Sequence, residues 1–130
     1  MQRFSYKVMI IEDNIELSEQ YRLKLENSGF TVVTAPDGEQ GLIVAAEERP
    51  DVILLDILMP NMDGFEVLKA IKNNTSLQSI IIIVSNLSGP EQLQKAKILG
   101  ADDYLIKSDV TPAIIVEKVQ KVLHIIPANS

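Results

Sequence analysis

Two alternating periodicities predict an α/β protein: an open parallel sheet with helices packed on both faces. Five short apolar runs rich in β-branched residues recur at 8–11, 30–34, 52–55, 80–84 and 104–106, and a stretch with helical spacing follows each. The first, third and fourth runs are apolar at every position, as strands buried on both faces are.

The helical stretches carry start and stop signals. Asp13 stands three residues before Glu16, a capping-box spacing, and Leu17, Tyr21 and Leu25 share one face before a stop at Gly29. Asp37 precedes Gln40 in the same way, ahead of a stop at Pro50. Asp63 and Glu66 open the third helix. Gly89-Pro90 and Thr111-Pro112 place proline at the first position of the fourth and fifth, and Gly100 closes the fourth. Ile115, Val119, Val122 and Ile126 line one face of the last helix, with His124 expected late in it as a surface group favourable to its terminus.

The chain has 130 residues, 46% hydrophobic and 23% charged, with no internal repeat or linker. It reads as one domain, 1–130, with a core at about 6–126. The absence of cysteine excludes disulfides, thiolate metal sites and cysteine nucleophiles, and a single histidine excludes a multi-histidine metal site. Twelve basic residues against eighteen acidic ones, a net charge of −6, argue against nucleic acid as a partner. The apolar runs are too short to span a membrane, and the first seven residues hold no signal-peptide core. A cytoplasmic location is expected.

In open parallel sheets, ligands bind outside the carboxyl ends of the strands, where strand order reverses. Residues that end the apolar runs are therefore the candidates: Glu12 and Asp13, Asp56, Ser85 and Lys107. Taken singly, most have simple readings. Asp13 serves equally as a helix cap, Glu12 as a solvated loop residue, Ser85-Asn86 as turn chemistry and Lys107 as a solvated charge. Asp56 is harder to dismiss, because a carboxylate closing a buried strand is costly unless something uses it. Together, three converging carboxylates repel by about 3 kcal/mol per pair at ~5 Å and an effective dielectric near 20. A proton or cation must offset this, and an all-oxygen set favours a hard divalent ion, Mg²⁺ above all with Mn²⁺ as a substitute. A carboxylate beside such an ion, a hydroxyl and an ammonium suits phosphoryl acceptance.

These residues, in this order and at these spacings, closely resemble the receiver domains of two-component response regulators over nearly the whole chain. Glu12-Asp13, Asp56, Met59-Pro60 with Asp63-Gly64, Ser85, and Gly100 to Tyr104 leading into Lys107 carry the resemblance. It implies a flavodoxin-like doubly wound sheet of order 2-1-3-4-5. Asp56 would be the phosphoacceptor and a metal ligand, with Asp13, Glu12 and the Leu58 backbone carbonyl completing the metal site. Ser85 and Lys107 would bind phosphoryl oxygens, and Tyr104 would swing inward as Ser85 moves toward the phosphoryl group. The implied partners are a sensor histidine kinase or phosphotransfer protein and a downstream protein target or absent effector domain. The changing surface would be helix four, strand five and helix five. Such a module is not an enzyme beyond accepting and slowly losing its own phosphoryl group.

Three departures from the family pattern stand out. Ser108 follows Lys107 where the family usually has proline with a cis peptide; because a non-proline cis bond costs about 2.5–4 kcal/mol, a trans bond and a differently shaped loop are expected. Asn86 replaces a smaller residue, and its size is expected to alter access to the site. Leu58 and Leu87 are apolar where the family often has groups that position hydrolytic water, so slow self-dephosphorylation is expected. A nucleotide or flavin binder is disfavoured by the acidic first loop and by the absence of G-x-G-x-x-G and Walker motifs. A phosphatase with an aspartyl intermediate is disfavoured by Leu58, which stands where a second acid is usual. The remaining alternative is a receiver-like interaction module that works without phosphorylation.

Overall fold

Strand and helix alternate five times in the computed structural model of the chain, which describes residues 5–125. The elements are β1 (Lys7–Ile11), α1 (Ile15–Asn27), β2 (Thr31–Ala35), α2 (Gly38–Glu48), β3 (Val52–Leu55), α3 (Gly64–Asn73), β4 (Ile80–Ser85), α4 (Pro90–Ile98), β5 (Asp103–Ile106) and α5 (Pro112–Val122). A single 3-10 turn, Lys107–Asp109, joins β5 to α5. All four strand pairings are parallel, in the order β2-β1-β3-β4-β5. The fold and strand order are those expected. The order reverses at β1, which places a crevice above the carboxyl ends of β1 and β3.

The period-two geometry of a strand sends alternate side chains to opposite layers. Met9, Ile11, Ile53, Leu55, Ile81 and Ile83 pack against α2, α3 and α4, where Ala45, Leu68, Ile71 and Ala96 are buried. Val8, Ile10, Val52, Leu54, Ile82 and Val84 pack instead with Tyr21 and Leu25 of α1 and Ile115, Val116 and Val119 of α5. Two cores on one sheet are the reason that β1, β3 and β4 read as unbroken apolar runs. Among the described residues, no helix is long and apolar enough to cross a membrane.

Most helix boundaries follow the sequence signals. Asp37 accepts from the Gln40 N–H at 2.8 Å, Asp63 and Glu66 form the reciprocal capping box, and Thr111 caps α5. Gly29 and Gly100 end α1 and α4 at φ 99° and 103°, values that favour glycine. Two expectations are corrected. The N-cap of α1 is Asn14, whose side chain accepts from the Leu17 N–H at 3.1 Å; Asp13 precedes the cap and makes no capping box with Glu16. One further residue is needed to turn the chain out of β1, and Asn caps as well as Asp does. His124 lies past α5, at φ 57°, in a C-terminal turn where its N–H bonds the Lys121 carbonyl and that of Ile125 bonds the Gln120 carbonyl. Ile126, expected on the last helical face, lies outside the described residues.

Candidate functional site

Strand register carries the candidate residues to one rim. Ile11 pairs with Leu55, Leu55 with Ile83, and Ser85 with Ile106, so the exits of the four neighbouring strands β1, β3, β4 and β5 carry Glu12, Asp56, Ser85 and Lys107 to the same end. Backbone bonds fix these exits. The Glu12 N–H donates to the Ala35 carbonyl at 3.2 Å, and the Asp56 N–H to the Ile11 carbonyl at 3.1 Å.

Glu12 and Asp56 are only 3% and 4% exposed, whereas Asp13 is exposed. Carboxylate oxygens of all three lie within 4.8 Å of one another. The Lys107 ammonium bridges the buried pair, donating to Glu12 Oε1 at 2.7 Å and to Asp56 Oδ2 at 3.2 Å. Their other oxygens accept backbone N–H groups, Glu12 Oε2 from Asn14 at 3.0 Å and Asp56 Oδ1 from Leu58 at 3.3 Å. Burial pushes the Glu12 carboxyl above the ordinary carboxylate range, against the opposing pull of the Lys107 bond. Burial works to lower the Lys107 ammonium, but its bonds and charge interactions with Glu12 and Asp56 outweigh this and hold it above the ordinary lysine value.

One ammonium faces three carboxylates. The charge excess, the all-oxygen donor set and the exposed edge at Asp13 suit a hard cation, so this cluster can hold a metal ion. The electrostatics also make a stability prediction. Lys107→Met strips two buried carboxylates of their cation, and the loss is expected to be about 3 kcal/mol without divalent metal. Urea unfolding in EDTA and in Mg²⁺ checks it, with Mg²⁺ returning much of the loss. An unchanged midpoint in EDTA would mean that the ion pair contributes nothing.

Ser85 ends β4 fully buried, and its Oγ accepts the Leu87 N–H at 3.3 Å. The Tyr104 hydroxyl donates to the Leu87 carbonyl, and its half-buried ring packs against the core formed with α2, α3 and α4. Burial raises the Tyr104 phenol above its ordinary value, partly opposed by a hydrogen bond with Ser85. The Tyr104 ring therefore lies inward, against the β4–α4 loop that begins at Ser85. The Leu58 side chain is largely exposed beside the cluster, and Leu87 is partly buried.

The structure also joins two residues that depart from the family pattern. Asn86 Oδ1 accepts the Ser108 N–H at 2.8 Å. No peptide bond among the described residues is cis, so Lys107–Ser108 is trans. Sequence reasoning noted both residues and missed their contact, which spans 22 positions. It also missed the Asn14 N–H that anchors Glu12, although an Asn just before a helix was a legible cap signal.

A five-stranded doubly wound sheet carrying an acidic cluster, a lysine and a strand-end serine on one rim is the arrangement of a class of signalling domain. The family model of the response regulator receiver domain matches residues 8–120, and the chain belongs to that family. It is 36% identical over 102 residues to protein PilG of Pseudomonas aeruginosa, covering 78% of this chain and 76% of that protein. It is 35% identical over 103 residues to the alkaline phosphatase synthesis transcriptional regulatory protein PhoP of Bacillus subtilis, covering 78% of this chain but only 42% of that protein. Among solved structures, chemotaxis protein CheY4 of Vibrio cholerae superposes with a TM-score of 0.85 at 32% identity, covering 91% of this chain and 98% of that one. The chain is therefore a CheY-like receiver domain, a signalling module.

Proposed function

We propose that residues 1–130 form one cytoplasmic receiver domain that accepts a phosphoryl group on Asp56 from a histidine kinase or phosphotransfer protein. In this reading it then controls a downstream protein or an effector domain through the α4–β5–α5 surface. The observation that carries the reading is the Lys107 ammonium shared between Glu12 and Asp56 inside a three-carboxylate cluster. A structural scaffold gains nothing from such clustered repulsion.

Glu12, Asp13, Asp56 and the Leu58 carbonyl would hold Mg²⁺, or Mn²⁺ in its place. When bound, the ion neutralises the oxygens around it and stabilises charge on the transferring group. A carboxylate oxygen of Asp56 attacks phosphorus as the P–N bond to the donor imidazole breaks, and the departing imidazole takes up a proton. Lys107 then exchanges a carboxylate oxygen for a phosphoryl oxygen, and the Ser85 hydroxyl donates to another. Turning that hydroxyl removes the acceptor of the Leu87 N–H, while the carbonyl of the same residue holds Tyr104. The loop between β4 and α4 and the Tyr104 ring thus respond as one unit. Phosphorylation would then favour the arrangement in which Tyr104 lies inward on the Leu87 carbonyl. A shift from about 1:99 to 99:1 requires roughly 5.5 kcal/mol of differential interaction.

The test is the intact mass after incubation with acetyl phosphate and Mg²⁺. One added phosphoryl group that requires the metal supports the reading. No addition to a folded, Mg²⁺-binding protein would favour the phosphorylation-independent interaction module. The apolar pair beside the site makes a second prediction. Leu58→Asn with Leu87→Glu supplies polar groups near the phosphoryl position, and hydrolysis of the phosphoaspartate is expected to accelerate on the order of tenfold, or ~1.4 kcal/mol. The decay of the phosphorylated mass measures this, and a wild-type lifetime of seconds that the double substitution leaves unchanged would refute it.

A further inference from the structure

We propose that Asn86 is a positioning residue for Lys107, latching the turn that carries the ammonium onto the β4 exit. The consequence for phosphoryl transfer rests on the function proposed above; the positioning itself does not. The contact is the bond from the Ser108 N–H to Asn86 Oδ1 at 2.8 Å. Its donor lies one residue past Lys107 and its acceptor one residue past Ser85, so a single bond ties together the backbones that present both groups.

Local structure gives the turn little support of its own. Lys107–Asp109 is one 3-10 turn without a side-chain cap, and its backbone bond from the Val110 N–H to the Lys107 carbonyl is long at 3.4 Å. Three-residue 3-10 turns hold their geometry poorly. The Lys107 ammonium must nevertheless reach Glu12 at 2.7 Å and Asp56 at 3.2 Å together. A shift of about 1 Å in the turn would break that bridge, because charge-assisted bonds lie within a narrow distance range. The two departures from the family pattern also explain each other. A glycine or alanine at 86 has no side-chain acceptor to offer, and a proline at 108 has no N–H to donate. Asn86 with Ser108 replaces a turn held by ring geometry with one held by a hydrogen bond.

The test compares Asn86→Ala, Asn86→Leu and Asn86→Asp with the wild-type protein. Leucine keeps the bulk without an acceptor, and aspartate keeps the acceptor. Two readouts need no phosphorylation: hydrogen exchange of the Ser108 amide, and the Lys107 ammonium resonance in ¹H–¹⁵N spectra. The alanine and leucine variants are expected to lose Ser108 protection and to shift or broaden the ammonium signal, with aspartate retaining both. Acetyl phosphate labelling of the alanine and leucine variants should slow about fivefold, the equivalent of one ~1 kcal/mol hydrogen bond. An unchanged Ser108 exchange rate or an unmoved ammonium signal in both variants would overturn the latch. So would labelling rates ordered by side-chain size, with alanine fastest, since that is the behaviour of a gate to the site. If the wild-type protein takes no phosphoryl group, the proposed function fails, and the ammonium signal still decides the positioning role.

Discussion

Asp56→Asn is expected to abolish labelling by acetyl phosphate and Mg²⁺ and, with no donor present, to make the protein more stable. The first effect follows from replacing the nucleophilic carboxylate by an amide. The second follows from the charge balance. Asp56 meets two carboxylates within 4.8 Å and one ammonium at 3.2 Å. At an effective dielectric near 20, the two repulsions of about 3.5 kcal/mol each exceed the single attraction of about 5 kcal/mol. Removing the charge also removes the desolvation cost of a side chain that is 4% exposed. A gain of ~1–2 kcal/mol, roughly 5 °C in Tm, is expected in EDTA. Mg²⁺ should raise the wild-type Tm more than that of the variant, since the variant has lost a charged ligand. Intact mass and thermal unfolding with and without Mg²⁺ measure both effects. Labelling that survives at full yield would move the phosphoacceptor elsewhere, and a variant less stable in EDTA would mean that the Lys107 attraction dominates.

Gly64→Ala is expected to destabilise the protein far more than a methyl group added at an unobstructed glycine. A Cβ at Gly64 would stand 2.3 Å from the Asp56 carbonyl oxygen and 2.6 Å from the Ile57 Cα. These are backbone atoms at the exit of β3, and no rotamer change relieves the overlap. The Gly64 N–H also donates to the Ile57 carbonyl at 2.9 Å, so α3 begins pressed against the segment that presents Asp56. Separating them is expected to cost about 3 kcal/mol or more and to displace the Asp56 side chain. Gly29→Ala is the control. It adds no contact within 4 Å and strains only a φ of 99°, for a loss of about 1 kcal/mol. Denaturant midpoints rank the two. Equal losses would show that the close approach of α3 to β3 carries no special penalty.

Much of this architecture is legible in the sequence because the informative signals are local. Unbroken apolar runs at β1, β3 and β4 report burial on both faces, and the sheet has a helical layer on each side to provide it. Asp37, Asp63 and Thr111 mark helix starts because each needs only the N–H three residues ahead. Glu12, Asp56, Ser85 and Lys107 are legible as strand ends, and parallel register brings such ends together without knowledge of any side-chain contact. Where a signal is ambiguous over one residue, as between Asp13 and Asn14, the tertiary exit from β1 decides it. His124 falls beyond the helix expected to hold it because the last turn of a helix and the turn after it share the same composition.

By itself, the sequence determined the fold class, the single run of alternating elements and the identity of the rim residues. All of these depend on periodicity and on contacts within a few positions. The tertiary structure alone decided that Lys107 serves Glu12 and Asp56 together, that Tyr104 lies inward on the Leu87 carbonyl, that Asn86 meets Ser108 and that Gly64 abuts Asp56. Each of these is a distance between groups brought together by packing, and tenths of an ångström settle whether it is a bond, a clash or an open space.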